Sequence, residues 1–279
     1  GELNMEISAQ QWMGVLLLTW YFAVGFGITV AYHRVLTHRS ANLRKPLLYA
    51  LVLAALPAGP PAEWVGNHRL HHTDSDGPND PHSPLHDGFW YAHCGWYLGI
   101  RNRGLCLMYA LGGPLRYVVD MFLRPMSPGG HDALAKDVLQ DRFLRFLSTR
   151  FGFLVGSSIQ ALPFLLAYHL MAWDGVVIAW VAGVLYYNAG DAVNSVGHLW
   201  GKRDFDGAGE ARNNLLVALV SLGEGWHAGH HAFPRSARHG LLKGQVDLSY
   251  LLLRILASVG LASDIYLPGD EAVSQRRHR

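Results

Sequence analysis

Three imidazoles fall within five residues at His68-Arg-Leu-His71-His72, and the same H-x-x-H-H spacing returns at His227-Ala-Gly-His230-His231. Before both stands His33-Arg-Val-Leu-Thr-His38. On a helix, residues i, i+3 and i+4 share a face, so each H-x-x-H-H run can converge on one or two ions. Histidine is the commonest metal ligand near neutral pH, because its neutral ring offers a lone pair. Asn194 and His198, four apart, add two more donors. One ion cannot use so many imidazoles, since a structural zinc takes four ligands; two ions can. A nitrogen-rich set suits iron, zinc, copper or nickel better than magnesium or calcium. A hydrolytic zinc site would want fewer histidines and a positioned glutamate base. Two irons at the mouth of a membrane-embedded pocket suit O₂ activation and attack on an unactivated C–H bond. The other histidines, His82, His86, His93, His131, His169, His239 and His278, stand alone and read as surface or satisfied core residues.

The elements that must position these donors are membrane helices. Half of the 279 residues are hydrophobic and 16% are charged, below the usual share of roughly a quarter. All 23 Lys and Arg lie in residues 33–150 or 198–279; residues 1–32 and 151–197 contain none. Such segregation is what the positive-inside rule produces. Residues 11–32 carry no charge across a length that can cross the hydrocarbon core. Residues 151–172 and 175–196 form a second and third span joined by the turn Ala172-Trp173-Asp174-Gly175. Residues 46–56 are too short to cross and stop at Pro57, Gly59, Pro60 and Pro61, so they read as an interfacial or shallow re-entrant piece. All the clustered histidines then lie on the Lys/Arg-rich, cytoplasmic side. The expected fold is all-α: one domain over residues 1–279, with residues 63–150 and 197–279 on the cytoplasmic side of the membrane helices. Glu2 and Glu6, with no basic stretch, weigh against a signal peptide. The tail SQRRHR reads as a solvated basic end, and Cys94 and Cys106 give no disulfide framework or haem motif.

H-x-x-x-x-H, H-x-x-H-H, N-x-x-x-H and G-E-G-W-H-x-x-H-H, in this order, resemble the membrane fatty acyl desaturases of the stearoyl-CoA desaturase type. The likeness runs from about residue 11 to about residue 266 and includes "NDPHSP" and "NSVGHLWGKRDFD". It implies a membrane stalk and a cytosolic cap, residues 63–150 and 197–279, holding a di-iron centre. It also implies nine ligands: His33, His38, His68, His71, His72, His198, His227, His230 and His231, with Asn194 holding a metal-bound water. Trp64 matches a family tryptophan lining a kinked acyl tunnel, and Tyr21 and Gly25 map to the tunnel floor. The family has one more membrane helix before residues 11–32, which would lie upstream of Gly1 or be missing from this member. Where animal members carry an Arg-Asp pair, Gly66-Asn67 stands here, and Asn67 is the substrate-contact candidate left. Arg101 and Arg103 keep a basic pair, so coenzyme A contacts are only partly preserved.

The resemblance implies O₂-dependent desaturation of a saturated acyl chain held as a thioester, coenzyme A first, with an acyl carrier protein or a phospholipid open. Two electrons would come from a separate ferredoxin, rubredoxin or cytochrome b5. Arg101, Arg103, Arg116 and Arg124 are candidates for meeting such an acidic partner. Hydroxylation or acetylenation by the same centre is the neighbouring alternative. A metal transporter would want ligands near the bilayer midplane and a haem protein single histidines on facing helices, and neither matches ligands clustered at helix ends. The place expected is the bacterial inner membrane, with the metals on the cytoplasmic side and no nucleic-acid partner. Asp191 lies alone in the third span, three before Asn194 and seven before His198, on the same helical face. It and Glu224 are expected to orient a ligating imidazole or the water on Asn194; a polar group of an unusual substrate is the rival partner for Asp191.

Overall fold

The computed structural model describes residues 7–278, so Glu2 and Glu6 lie outside them. Most of those residues are helical; one strand pair, Asn42–Leu43 antiparallel to Ala262–Ser263, and three isolated bridges are the β pairings among them. Helix α1, Ala9–Phe26, starts at a capping box in which Ser8 and Gln11 each satisfy the other's backbone N–H. It passes without a break into a π-helix, Gly27–Thr37. Together Ala9–Thr37 make one apolar rod of 29 residues, enough to cross a bilayer. Helices α2, Lys45–Ala55, and α3, Pro61–Thr73, meet at a 72° bend. Pro57, Pro60 and Pro61 end the first ladder and start the second. Gly59 sits between them at φ 124, with the Arg124 guanidinium filling the place a Cβ would need.

Helix α4, Pro114–Leu123, packs on α5, Leu162–Leu199. The apolar run containing α5, Arg150–Leu199, is the second helix long enough to cross. By length and composition two helical runs can cross, or three if the bent pair α2–α3 is one broken span. The expected second and third segments share the Arg150–Leu199 run, which leaves helical geometry at Met171 and Ala172. Ala167 and Ala179, on either side of that break, join one cluster with Met13 of α1. A straight helix would hold them roughly 18 Å apart, so the chain folds back there, at the edge of the turn expected at Ala172–Gly175. The second limb carries His198 in its last turn. Helices α6, His227–Ala232, and α7, Leu248–Ser258, close the cap. The tail is not merely solvated: Arg276 donates to the Ala232 carbonyl at the end of α6.

Candidate metal centre

The π-helix decides where His38 points. In an α-helix five residues turn through about 500°, which would leave His38 about 140° away from His33. A π turn closes i to i+5: the His38 N–H donates to the His33 carbonyl at 3.1 Å, and the two rings lie 4.9 Å apart. The α-helical H-x-x-H-H runs behave differently. Each divides its imidazoles between two groups. His68 and His72 of α3 join His33, His38 and His230; His227 and His231 of α6 join His71 and His198, the latter from the last turn of α5. One group thus has five imidazoles, the other four, and the ligand atoms within each lie within 4.8 Å of one another.

Within the groups, Nε2 faces Nε2. The separations are 3.0 Å for His33–His230, 2.9 Å for His72–His230 and 3.2 Å for His68–His72. In the second group they are 2.9 Å for His198–His227 and 3.2 Å for both His71–His231 and His227–His231. A metal–nitrogen bond of about 2.1 Å gives ligand–ligand edges of about 3.0 Å in an octahedral shell and about 3.4 Å in a tetrahedral one. The observed edges, 2.9–3.2 Å, are those of nitrogens gathered round a common ion. The residues therefore suit two ions, one facing five imidazoles and the other four.

The other ring nitrogens set which tautomer is present. Nδ1–H of His71 donates to Asp80 at 2.8 Å and that of His198 to Asp76 at 2.9 Å; His33 Nδ1 pairs with Glu224. A carboxylate on Nδ1 leaves the Nε2 lone pair bare and raises its basicity. Glu224, expected to orient an imidazole, pairs with His33. Burial alone would raise its pKa, but Arg34 and then His33 more than offset this and hold it below the usual value. Burial, followed by neighbouring imidazoles, pushes His227, His230 and His231 well below the ordinary histidine value. That direction favours the neutral ring a metal ligand needs. Asp76 and Asp80 escaped the sequence reading, although both follow the second cluster within ten residues in DSDGPNDPH. Three of the histidines set aside as isolated are buried: His82 stacks on His71, His239 packs on His230, and His93 bonds Ser195 and Asn188.

A cavity of about 310 Å³ opens beside the two groups, lined by His33, His68, His227, Asn194 and mainly apolar side chains. Trp64 lies in its wall with its ring stacked on His68. Tyr21 lines it too and donates to the Val220 carbonyl at 2.8 Å, and Gly25 faces Leu222. Other expected contacts are elsewhere. Asn67 turns away and donates to Glu63 at 2.9 Å. Arg101 is exposed and pairs with Asp87. Asp191 orients no imidazole: Arg116 and Tyr97 take its carboxylate, because α4 brings a buried cation to that face of α5 first. Arg116 and Arg124 are buried against carboxylates, so neither can meet a protein partner, while Arg103 remains exposed.

Comparison with known proteins agrees with this geometry. The fatty acid desaturase family matches residues 10–248. The sn-1 stearoyl-lipid 9-desaturase of Anabaena variabilis is 37% identical over 265 residues, 91% of this chain and 84% of the relative. The icosanoyl-CoA 5-desaturase of Limnanthes douglasii is 35% identical, covering 95% of this chain and 67% of the relative. The chloroplastic palmitoyl-monogalactosyldiacylglycerol delta-7 desaturase of Arabidopsis thaliana is 35% identical, covering 92% and 62%.

Proposed function

The chain belongs to the fatty acid desaturase family, and from that premise we propose that it removes two hydrogens from adjacent carbons of a saturated acyl chain, using O₂ and two external electrons. The observation that carries the proposal is the pair of histidine groups, five and four imidazoles, beside a largely apolar cavity whose wall includes His33, His68 and His227. The nine histidines would hold two iron ions, with Asn194 beside them holding a water. When bound, the irons would supply O₂ activation and the oxidising power for C–H cleavage. The chain's own residues do the rest. Glu224, Asp76 and Asp80 fix imidazole tautomers. Trp64 and the apolar wall exclude water and hold one stretch of the chain against the metal side, which is control by proximity. Tyr21, Gly25 and Leu222 limit how deep the chain reaches.

We take an acyl thioester as the carrier. A glycerolipid ester is the second reading, favoured by the pairing of Arg101, one of the two bases matching coenzyme A contacts, with Asp87. The proposal sets the protein in a membrane with the centre on the cytoplasmic side, served by a separate ferredoxin, rubredoxin or cytochrome b5. Expression in a host lacking its own desaturase, followed by mass spectrometry of fatty acids, tests the activity. Monounsaturated chains should appear with the wild type and vanish with His71→Ala. Their absence despite iron-loaded protein in the membrane would refute it.

A further inference from the structure

The cavity is apolar over most of its wall, yet one side carries a complete buried ion pair. Arg116 of α4 and Asp191 of α5 are 3% and 2% exposed. They meet through Nη1–Oδ2 at 2.5 Å and Nη2–Oδ1 at 3.1 Å, and Tyr97 Oη donates to Asp191 at 2.8 Å. The rings of Tyr97, Tyr109 and Tyr187 box the guanidinium at 4.9, 4.5 and 4.6 Å. Its Nε–H has no partner. A hydrocarbon needs none of this. Apolar residues of like volume often stabilise a fold as well as a buried ion pair does, and ionisable groups at membrane depth are generally functional. A few placed polar groups in an apolar pocket fix how the ligand lies.

We propose that Arg116, held by Asp191 and Tyr97, anchors the carbonyl oxygen of the acyl group and so fixes, counting from that carbonyl, which carbon meets the metals. The inference rests on reading the cavity as an acyl site. The carbonyl is the polar atom that ester and thioester share, and it only accepts. The guanidinium still has uncommitted N–H groups after its two bonds to Asp191. Asp191 has a second effect: it neutralises Arg116, so the corner suits a neutral carbonyl better than the carboxylate of a free fatty acid. Along α5, Asp191 precedes Asn194 and His198 by three and seven residues, roughly 4.5 and 10 Å of rise. Anchor and metal centre thus share one wall, several methylenes apart.

The test is where the double bond falls. Arg116→Met with Asp191→Leu removes both charges together and leaves neither unpaired. In a desaturase-deficient host given a labelled-acetate pulse, double bonds are mapped separately in acyl thioesters and in glycerolipids. The pool in which label first becomes unsaturated identifies the carrier. Wild type should give one dominant position. The double variant should keep its iron and spread double bonds over several positions, the dominant share falling several-fold. Lower yield at an unchanged single position, with iron retained, would mean the pair only braces α4 on α5 and would overturn the anchor. Should the double variant fail to accumulate, Arg116→Lys keeps the charge and shortens its reach: a moved or spread position supports the anchor, an unmoved one overturns it. No double bond from iron-loaded wild type would instead sink the reading of the cavity, and the anchor with it.

Discussion

Asp80→Asn replaces one carboxylate oxygen by an NH₂, with a calculable consequence. Asp80 is buried and three donors point at it: the Nδ1–H of His71 and the N–H of Asp76 reach Oδ2, both at 2.8 Å, and the N–H of His82 reaches Oδ1 at 3.0 Å. Asparagine has the same shape but only one accepting oxygen. With that oxygen toward His71 and Asp76, its NH₂ faces the His82 N–H, and two donors oppose each other. An orphaned buried donor costs about 1–3 kcal/mol of fold stability. His71 also loses an ionised partner, and such losses weaken metal binding about 10–100-fold, or about 1.4–2.7 kcal/mol. His71 belongs to the group with His198, His227 and His231, so the loss should fall on that ion. The assay is iron per chain by elemental analysis across a graded chelator series, with circular dichroism as a check on folding. One ion should leave the variant at chelator strengths 10–100-fold lower than in the wild type, while the other stays. Release of both ions together at the wild-type midpoint would refute the reasoning.

His71→Ala and His230→Ala should each abolish activity but empty opposite sites, which metal counting with spectroscopy of the remaining iron would separate; identical spectra would count against the two-group division. Tyr21→Ala should lengthen the acyl chains accepted, and Gly25→Leu should shorten them, because even a Cβ at Gly25 would lie 2.6 Å from Leu222 Cδ1; product profiles read this directly. Asp191→Asn alone leaves the Arg116 charge buried without a counter-charge, at a cost of about 3–5 kcal/mol, visible as a lower melting temperature in detergent that the paired Arg116→Met/Asp191→Leu change should largely recover. Hydrogen bonds and charge from Arg69 and then Arg39 outweigh the opposing effect of burial and hold Asp137 at about 2. A folded pKa below the unfolded one of about 3.9 stabilises above that value and ceases to as pH falls through 2. The melting-temperature gap between wild type and Asp137→Asn should therefore close between pH 4 and pH 2; a constant gap would contradict the pairing.

The histidines were legible because their spacing is a property of the helix itself. Runs of i, i+3 and i+4 share a face wherever the helix lies, and nothing about neighbours is needed to see that. Their division into five and four was not legible. His71 and His230 leave their own runs for the opposite group because the facing helix supplies their neighbours there, and which helices face each other is a tertiary fact that spacing within one run does not carry. The five-residue step from His33 to His38 held a usable signal: two ligands so spaced cannot share an α-helical face, so convergence required a wider turn. The cations show where reading by composition fails. Arg116 and Arg124 sit in a block rich in Lys and Arg and read as surface charge, yet the partner of Arg116 is 75 residues away. The demand for that partner was nonetheless written in the sequence. Residues 151–197 contain no cation, so an ionised Asp191 turned inward had to be met by a cation from another element. Orienting a neutral imidazole would have left its charge uncompensated at membrane depth. Charge balance, applied before ligand geometry, already favours a buried Lys or Arg over a metal-site role for Asp191.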